Sequence, residues 1–202
     1  MRIIMAHGIW DTGDVFRTLV ARLEADGHRC AHPTFPPNNG RHGLADLAAK
    51  LKAKVETPGT AGGPVAVIGF SMGAVVARHY LQTLGGAARV SHFFNISGPQ
   101  NGTLTARLWP GKAARDMRPG SEFLRALNRD TSALAALVVH SYHTPFDLMV
   151  LPSCSSRLPC GGWHTIPALL HHRMLTHPKL LGHIAGVLPK DLRGERPPPR
   201  EV

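Results

Sequence analysis

The segment Gly69–Gly73, a G-x-S-x-G pattern centred on Ser71, constrains the fold more than any other part of this chain. It follows the apolar run Val65–Ile68, which predicts a buried strand, and it leads directly into a helical pattern from Met72 to Leu84. A sharp turn from strand to helix strains the serine backbone and exposes its hydroxyl, and only small neighbours leave room for such a turn. The pattern alone occurs by chance in many chains. Its place between a strand and a helix favours a nucleophilic serine.

Short strand patterns and longer helical patterns alternate along most of the chain. This alternation predicts right-handed crossovers and a mostly parallel sheet with helices on both faces, which is the doubly wound α/β class. With 202 residues, we expect one domain of about six strands over residues 1–190 and a disordered tail over residues 191–202. The predicted strands are Arg2–Ala6, Cys30–His32, Val65–Ile68, Val90–Ile96 and Leu137–Tyr142, and the predicted helices are Val15–Asp26, Leu44–Glu56, Met72–Leu84, Ser121–Asn128 and about Pro178–Leu188.

A serine hydroxyl needs a general base and a group that orients the base, and both are expected in loops at the carboxyl ends of strands. Asp147 follows the Leu137–Tyr142 strand in apolar surroundings, where an ionised carboxylate would need a partner such as imidazolium. The loop that enters the last helix favours His171 or His172 as the base, and spacing alone does not decide between these neighbours. The weaker candidates are Asp116, Glu122 and Asp130 for the carboxylate, and His164, His177 and His183 for the base.

The chain carries a formal net charge of +10, which would suit nucleic acid, an anionic membrane or an anionic substrate. The basic residues are scattered, however, and aromatic residues are not interleaved with them. General solubility is therefore the leading explanation of the charge, and we expect no nucleic-acid partner. Weak contact with an anionic membrane surface stays an expectation.

The cysteine pattern and the apolar runs exclude several other classes of protein. Cys30, Cys154 and Cys160 lack C-x-x-C spacing, so we expect no zinc site and no disulfide framework, although Cys154 and Cys160 flank one loop and could pair if oxidised. No pattern calls for a metal or another cofactor. No apolar run approaches the roughly 20 residues of a membrane span, and the first residues lack a secretory pattern, which together predict a cytoplasmic protein.

Five stretches of the sequence resemble those of the α/β-hydrolase superfamily, and in particular its small bacterial triacylglycerol lipases and esterases. The sequence departs from that family at Trp10, where a second glycine is usual, and in the loop Pro152–His164. The matching stretches are His7-Gly8-Ile9-Trp10 (the oxyanion loop), Ser71-Met72-Gly73 (the nucleophile elbow), Gly98-Pro99 with Gly102-Thr103 (the G-T-P-x-x-G-S stretch), Asp147–Val150 (the acid loop) and His171–Pro178 (the base and the short helix after it).

The resemblance implies a minimal α/β-hydrolase fold with a serine nucleophile, a histidine base and an acid. It also implies an oxyanion hole formed by two backbone N–H groups. The matching catalytic residues are Ser71, Asp147 and His171, with His172 in reserve for the base, and the matching oxyanion residues are Ile9 and Met72.

The function that this resemblance implies is hydrolysis of carboxylic esters, lipid esters among them, through an acyl-enzyme. A small-molecule or lipid ester is then the expected partner. A thioesterase or an acyltransferase would use the same triad, and a non-catalytic scaffold that binds anionic surfaces is the alternative from another class. We expect residues 98–120 to form a short lid or a wall of the acyl pocket, or else an ordinary solvated insertion.

Overall fold

Six strands form one sheet in the computed structural model, which describes residues 1–57, 63 and 65–189. The strands are β1 (Arg2–Ala6), β2 (Arg29–Ala31), β3 (Val65–Phe70), β4 (Val90–Ile96), β5 (Val138–His143) and β6 (Gly162–Thr165). They lie in the order β2-β1-β3-β4-β5-β6, and each neighbouring pair is parallel. The chain therefore moves outward from β1 in both directions, which confirms the expected doubly wound α/β class. The predicted tail over residues 191–202 lies outside the described residues.

Helices cover both faces of the sheet. The central strand β3 is buried along its whole length, and its alternate residues point into two separate apolar clusters. One cluster packs against α1 (Arg17–Ala25) and α7 (Pro178–Val187), and the other packs against α2 (Leu44–Val55) and α3 (Met72–Thr83). In the part of the chain that is described, no helix has both the length and the apolar character to cross a bilayer. The helices are α1 (Arg17–Ala25), α2 (Leu44–Val55), α3 (Met72–Thr83), α4 (Lys112–Asp116), α5 (Glu122–Arg129), α6 (Ser132–Ala135) and α7 (Pro178–Val187).

The elements that the sequence does not predict are the short ones. Strand β6 has four residues, begins with a glycine and has no run of apolar residues, so its pattern resembles a loop. Its pairing with β5 over four consecutive positions stabilises it as an edge strand. The helices α4 and α6 are equally short, with five and four residues. Tertiary contacts rather than local pattern determine elements of this length.

Two glycines let α3 approach the sheet closely. A Cβ at Gly73 would overlap the carbonyl oxygen of Ala6 in β1, and a Cβ at Gly69 would overlap the backbone of Ala74 in α3. Neither obstacle is the flexible end of a side chain. The first turn of α3 therefore packs directly against the carboxyl ends of β1 and β3, which leaves Ser71 at the edge where the loops of the site meet.

We predict that Gly73→Ala lowers the free energy of unfolding by about 2 kcal/mol or more, because overpacking against fixed groups costs about 1–3 kcal/mol or more. Gly182→Ala is the matched control, since Gly182 lies inside α7 and a Cβ there would have no atom within 4 Å. The control should raise the free energy of unfolding by about 0.5–1 kcal/mol. Urea denaturation measures both changes, and equal stability of the two variants would contradict the close approach.

Candidate active site

Ser71 lies between β3 and α3 in a backbone conformation that is rare for a residue with a side chain. Its φ is 53° and its ψ is −125°, and residues in such sparsely populated regions cost of order 1–3 kcal/mol. The N–H of Ser71 donates to the carbonyl of Ile96 at 2.9 Å, which ties the turn to β4. The serine residue is buried, with 9% of its surface exposed, so it is less open to solvent than the pattern predicts, because the close approach of α3 and of the loop after β1 covers it. The strained turn predicted from the glycine pattern is therefore present in the structure.

Gly8 brings the loop after β1 against the serine. A Cβ at Gly8 would lie 3.1 Å from the Cβ of Ser71, 3.6 Å from a ring carbon of Phe70 and 2.6 Å from a carboxylate oxygen of Asp11. No larger residue fits there without displacing these groups. Because Gly8 has no side chain, the loop after β1 can lie directly against the turn that holds Ser71.

Asp147 and His171 form a buried pair. The Nδ1 of His171 lies 2.8 Å from Oδ2 and 3.0 Å from Oδ1 of Asp147, and the two residues are 5% and 2% exposed. Oδ1 also accepts from the N–H groups of Met149 and Val150, each at 2.9 Å. Burial acts to raise the pKa of Asp147, but the hydrogen bond and the charge interaction with His171, together with these two N–H donors, hold that pKa below its ordinary value. An ionised carboxylate at this position can orient the imidazole.

The imidazole of His171 lies on the ring of Phe70, the residue before the serine. The two ring centres are 4.7 Å apart. Nδ1 faces the carboxylate of Asp147, so the second nitrogen, Nε2, is the one available for proton transfer. Nε2 is buried and has no hydrogen-bond partner. A buried polar atom without a partner costs free energy and is uncommon, and a catalytic role is one explanation of such an atom. This nitrogen can accept a proton from a hydroxyl group.

The reserve base, His172, has a different partner. Its Nε2 lies 3.0 Å from Oδ1 of Asp11 in the loop after β1, and its side chain is 55% exposed. Its ring meets Phe70 edge-on, with centres 5.3 Å apart. The hydrogen bond with Asp11 raises the pKa of His172, and burial opposes that rise only in part. The structure therefore distinguishes the two neighbours, because His171 pairs with Asp147 and His172 pairs with Asp11.

The loop after β1 is held in one shape by its own hydrogen bonds. Nε2 of His7 accepts from the N–H of Phe35 at 2.9 Å, so the ring proton sits on Nδ1, which donates to the carbonyl of Gly8 at 2.8 Å. The N–H of Trp10 donates to the carbonyl of Asn38 at 2.7 Å, and Trp10 has a φ of 62°. In the described part of the chain, no acceptor pairs with the N–H of Ile9.

The N–H of Met72 lies in the first turn of α3, where a helix has no internal acceptor for it. The positive end of the helix dipole adds to its attraction for an anion. Unpaired N–H groups at two neighbouring loops are the chemical requirement of an oxyanion hole. Both residues that the sequence predicts for this role therefore have a donor to offer.

Residues 98–120 are anchored to the core at several points. The N–H of Thr103 donates to Met117 and that of Leu104 donates to Leu151. Ala106, Ala113 and Met117 are buried. The exposed part of the segment is short and centres on Leu108 and Trp109. The ring of Trp109 packs edge-on against Trp10, with centres 4.7 Å apart.

Large apolar side chains stand exposed on loops that follow the carboxyl ends of strands. They come from the loop after β1, from residues 104–109, from residues 146–151 and from the residues just before His171. Exposed apolar side chains that lie together mark binding sites for apolar partners, and here Trp10 and Trp109 are in contact. We call this set the apolar rim, and it consists of Trp10, Leu104, Leu108, Trp109, Phe146, Leu148, Leu151, Leu169 and Leu170.

The weaker candidates from the sequence have local structural contacts. A carboxylate oxygen of Asp116 accepts from the N–H of Leu44, and one of Asp130 accepts from the N–H of Ser132. Glu122 lies in the first turn of α5, and His177 caps α7 by accepting from the N–H of Lys179. His164 and His183 belong to a separate group with His140. None of the three cysteines is in a disulfide.

Comparison with known proteins shows the family of the chain. The model of the alpha/beta hydrolase family matches residues 3–191, so the chain belongs to that family. A comparison with curated proteins gave no match.

Solved structures of related fold include three hydrolases of low sequence identity. Lipase B of Aspergillus fumigatus has a TM-score of 0.76 at 16% identity over 91% of this chain, which spans only 51% of that lipase. The mature form of a Bacillus licheniformis lipase has a TM-score of 0.72 at 14% identity over 91% of this chain and 89% of its own. A pyrethroid hydrolase from Sphingobium faniae has a TM-score of 0.65 at 14% identity over 92% of this chain and 96% of its own. At such identities the likeness concerns the fold.

Asp11 lies at the site but was not predicted from the sequence. Its pairing with His172 leads to a testable prediction. Asp11→Asn should lower the pKa of His172, because the ionised carboxylate favours the imidazolium form. The pair stabilises the fold below the ordinary histidine pKa of about 6.5, and this contribution is lost as pH rises through the raised pKa of His172. NMR titration of the imidazole C–H signals measures the change. Asp14→Asn is the control, because Asp14 pairs with Arg17 at the surface, and an unchanged His172 midpoint in Asp11→Asn would contradict the pairing.

Proposed function

We propose that this protein hydrolyses carboxylic esters through an acyl-enzyme, with Ser71 as nucleophile, His171 as general base and Asp147 as the orienting acid. The observation that carries the proposal is the buried imidazole of His171. Asp147 holds one of its nitrogens, while the other has no partner and the ring lies on Phe70, next to the serine. The lipases among the structures of related fold support ester chemistry.

Acylation begins with the attack of Ser71 on the ester carbonyl. His171 takes the hydroxyl proton at Nε2 and then gives it to the leaving alcohol, while the carboxylate of Asp147 stabilises the charged imidazole. In the second half, water loses a proton to the same nitrogen and attacks the acyl-enzyme. The proton returns to Ser71 and the acid is released. The lowered pKa of Asp147 supports this role, because the carboxylate must stay ionised throughout.

The N–H groups of Ile9 and Met72 stabilise the negative oxygen of each tetrahedral intermediate. The loss of one such donor in comparable sites costs about 3 kcal/mol in the transition state. The hydrogen bonds of His7 and Trp10 support the proposal, because they hold the Ile9 loop in place before substrate arrives. A preformed donor pair requires no reorganisation during the reaction.

An ester with an apolar acyl chain fits the surroundings best, because the apolar rim borders the loops of the triad. The exposed part of residues 98–120 serves as a wall of this acyl site. The formal charge of +10 supports weak contact with an anionic membrane surface. We propose no nucleic-acid partner. The cytoplasmic location stays an expectation from the sequence.

A thioesterase or an acyltransferase would use the same three residues and differ only in the leaving group or the acceptor. The non-catalytic scaffold is disfavoured by the strained serine, since such strain persists chiefly where it serves a function.

Steady-state kinetics of variants test the assignment of roles. Ser71→Ala and His171→Gln should each lower kcat for a nitrophenyl ester by roughly 10³-fold or more, because the members of a triad act as a unit. His172→Gln should lower kcat by less than about 10-fold, since its partner is Asp11 and not Asp147. Circular dichroism confirms folding of each variant. A greater loss in His172→Gln than in His171→Gln would reverse the choice of base, and normal turnover by Ser71→Ala would exclude the mechanism.

A series of nitrophenyl esters of increasing acyl length tests the apolar rim. We predict that kcat/KM rises from acetate to a medium-length chain, and that Trp109→Ala lowers it by roughly 10-fold for the longer chain with little change for acetate. Val138→Ala is the matched control, because Val138 is also exposed but lies at the amino end of β5. A flat profile in the wild-type protein would contradict a fitted acyl site.

A further inference from the structure

Three histidines from distant parts of the sequence meet at the edge of the sheet. His140 lies on β5, His164 on β6 and His183 on α7, and one ring nitrogen from each lies within 4.8 Å of the others. The register pairs Tyr142 with His164, and side chains alternate along a strand, so His140 and His164 share the face of the sheet that α7 covers. All three are half-buried, so solvent reaches the group. We call it the three-histidine cluster.

A glycine leaves space beside two of these nitrogens. Gly162 pairs with His140 across the ladder, and a Cβ at Gly162 would lie 2.6 Å from Nδ1 of His140 and 2.6 Å from Nε2 of His164. The two nitrogens are themselves 2.9 Å apart and share one hydrogen bond. Two ligands of a tetrahedral zinc ion at about 2.0–2.1 Å are separated by about 3.3 Å. A small movement of the rings therefore opens the hydrogen-bonded pair to the spacing of a bound ion.

The chemistry of the cluster is that of a metal ligand set. Imidazole is among the commonest metal ligands in proteins, and each of the three rings offers one nitrogen to the cluster. The hydroxyl of Tyr142, 2.9 Å from Nδ1 of His183, can orient that ring in the way outer-shell partners do.

We propose that the three-histidine cluster binds a divalent transition metal ion of the zinc class, with water as the fourth ligand. Three imidazoles without a carboxylate suit zinc, copper or nickel and not calcium or magnesium, which prefer oxygen. Lys179 is the charged neighbour that opposes a cation, although its ammonium donates to the carbonyl of Thr165. The half-buried position admits the ion and a water molecule.

Such an ion would join the edge strand β6 and the helix α7 to β5. Asp147 follows β5, and His171 lies between β6 and α7. The ion would therefore stabilise the elements that flank the proposed acid and the proposed base. Neither Asp147 nor His171 is among the proposed ligands. The proposal goes beyond the ester hydrolysis proposed above and does not depend on it, because metal binding can be measured on the Ser71→Ala protein.

Zinc binding to the 202-residue chain tests the proposal. The protein carries no histidine tag and is first treated with a chelator that removes any bound metal. We expect one zinc ion per chain by equilibrium dialysis and elemental analysis. Mass action predicts a rise in Tm of several degrees at about 100 times Kd. His164→Gln and His183→Gln should each weaken binding by at least roughly 10-fold, the lower end of what even a supporting group contributes to a metal site. Tetrahedral Co²⁺, recognised by its intense visible absorption, is the second readout.

Two further variants test whether zinc binding depends on the cluster and not on other histidines. His42→Gln removes an exposed histidine outside the cluster, and His171→Gln removes the proposed base, and both should keep one zinc ion per chain. Gly162→Ala keeps all three cluster histidines but fills the space beside them, so it should lose zinc binding. No zinc in the wild-type protein, or equal binding in His42→Gln, His164→Gln and His183→Gln, would overturn the proposal.

Discussion

The close approach of α3 to the sheet is the constraint on which the rest of the site depends. Because residues 69 and 73 have no side chain, the first turn of the helix packs against the carbonyl of Ala6. The turn between strand and helix then has no room for an ordinary conformation, and Ser71 takes a φ of 53°. The same packing brings the start of α3 beside the loop after β1. One steric constraint thus positions the proposed nucleophile and both proposed oxyanion donors.

The buried pair of Asp147 and His171 depends on a second constraint, the cost of burying a charge. A carboxylate that is 2% exposed is tolerated only with partners, and here it has the imidazole and two backbone N–H groups. Removing the imidazole would take one hydrogen bond from this buried carboxylate, and a buried polar group that loses its partner costs about 1–3 kcal/mol, or more when it is charged. The hydrogen bonds to Asp147 and the packing on Phe70 together fix the position of His171. A fixed imidazole with one unpaired nitrogen is the arrangement that the proposed proton transfer from Ser71 requires.

Much of the fold was predictable because its signals are local. The apolar run of β3, the glycines around Ser71 and the helical spacing of α3 are adjacent in the sequence, and together they define the class. Asp147 could be proposed from its place after a strand. The choice between His171 and His172 could not, since it depends on which carboxylate each ring reaches, and that is a long-range contact.

The features that the sequence did not reveal are also long-range. Asp11 and His172 are 161 residues apart in the chain, so no window of sequence shows their pairing. Strand β6 has too few residues for a pattern, and with it the placement of His164 was missed. The three-histidine cluster was hidden for the same reason, since its members lie on two strands and a helix without the short spacing of familiar metal motifs.

Covalent labelling with a fluorophosphonate probe tests the central claim most directly, because only an activated serine reacts readily with such a reagent. Mass spectrometry of the digested protein should locate a single adduct on Ser71. The adduct should be absent from Ser71→Ala and should form much more slowly in His171→Gln. An unlabelled wild-type protein, or an adduct that persists in Ser71→Ala, would contradict the account.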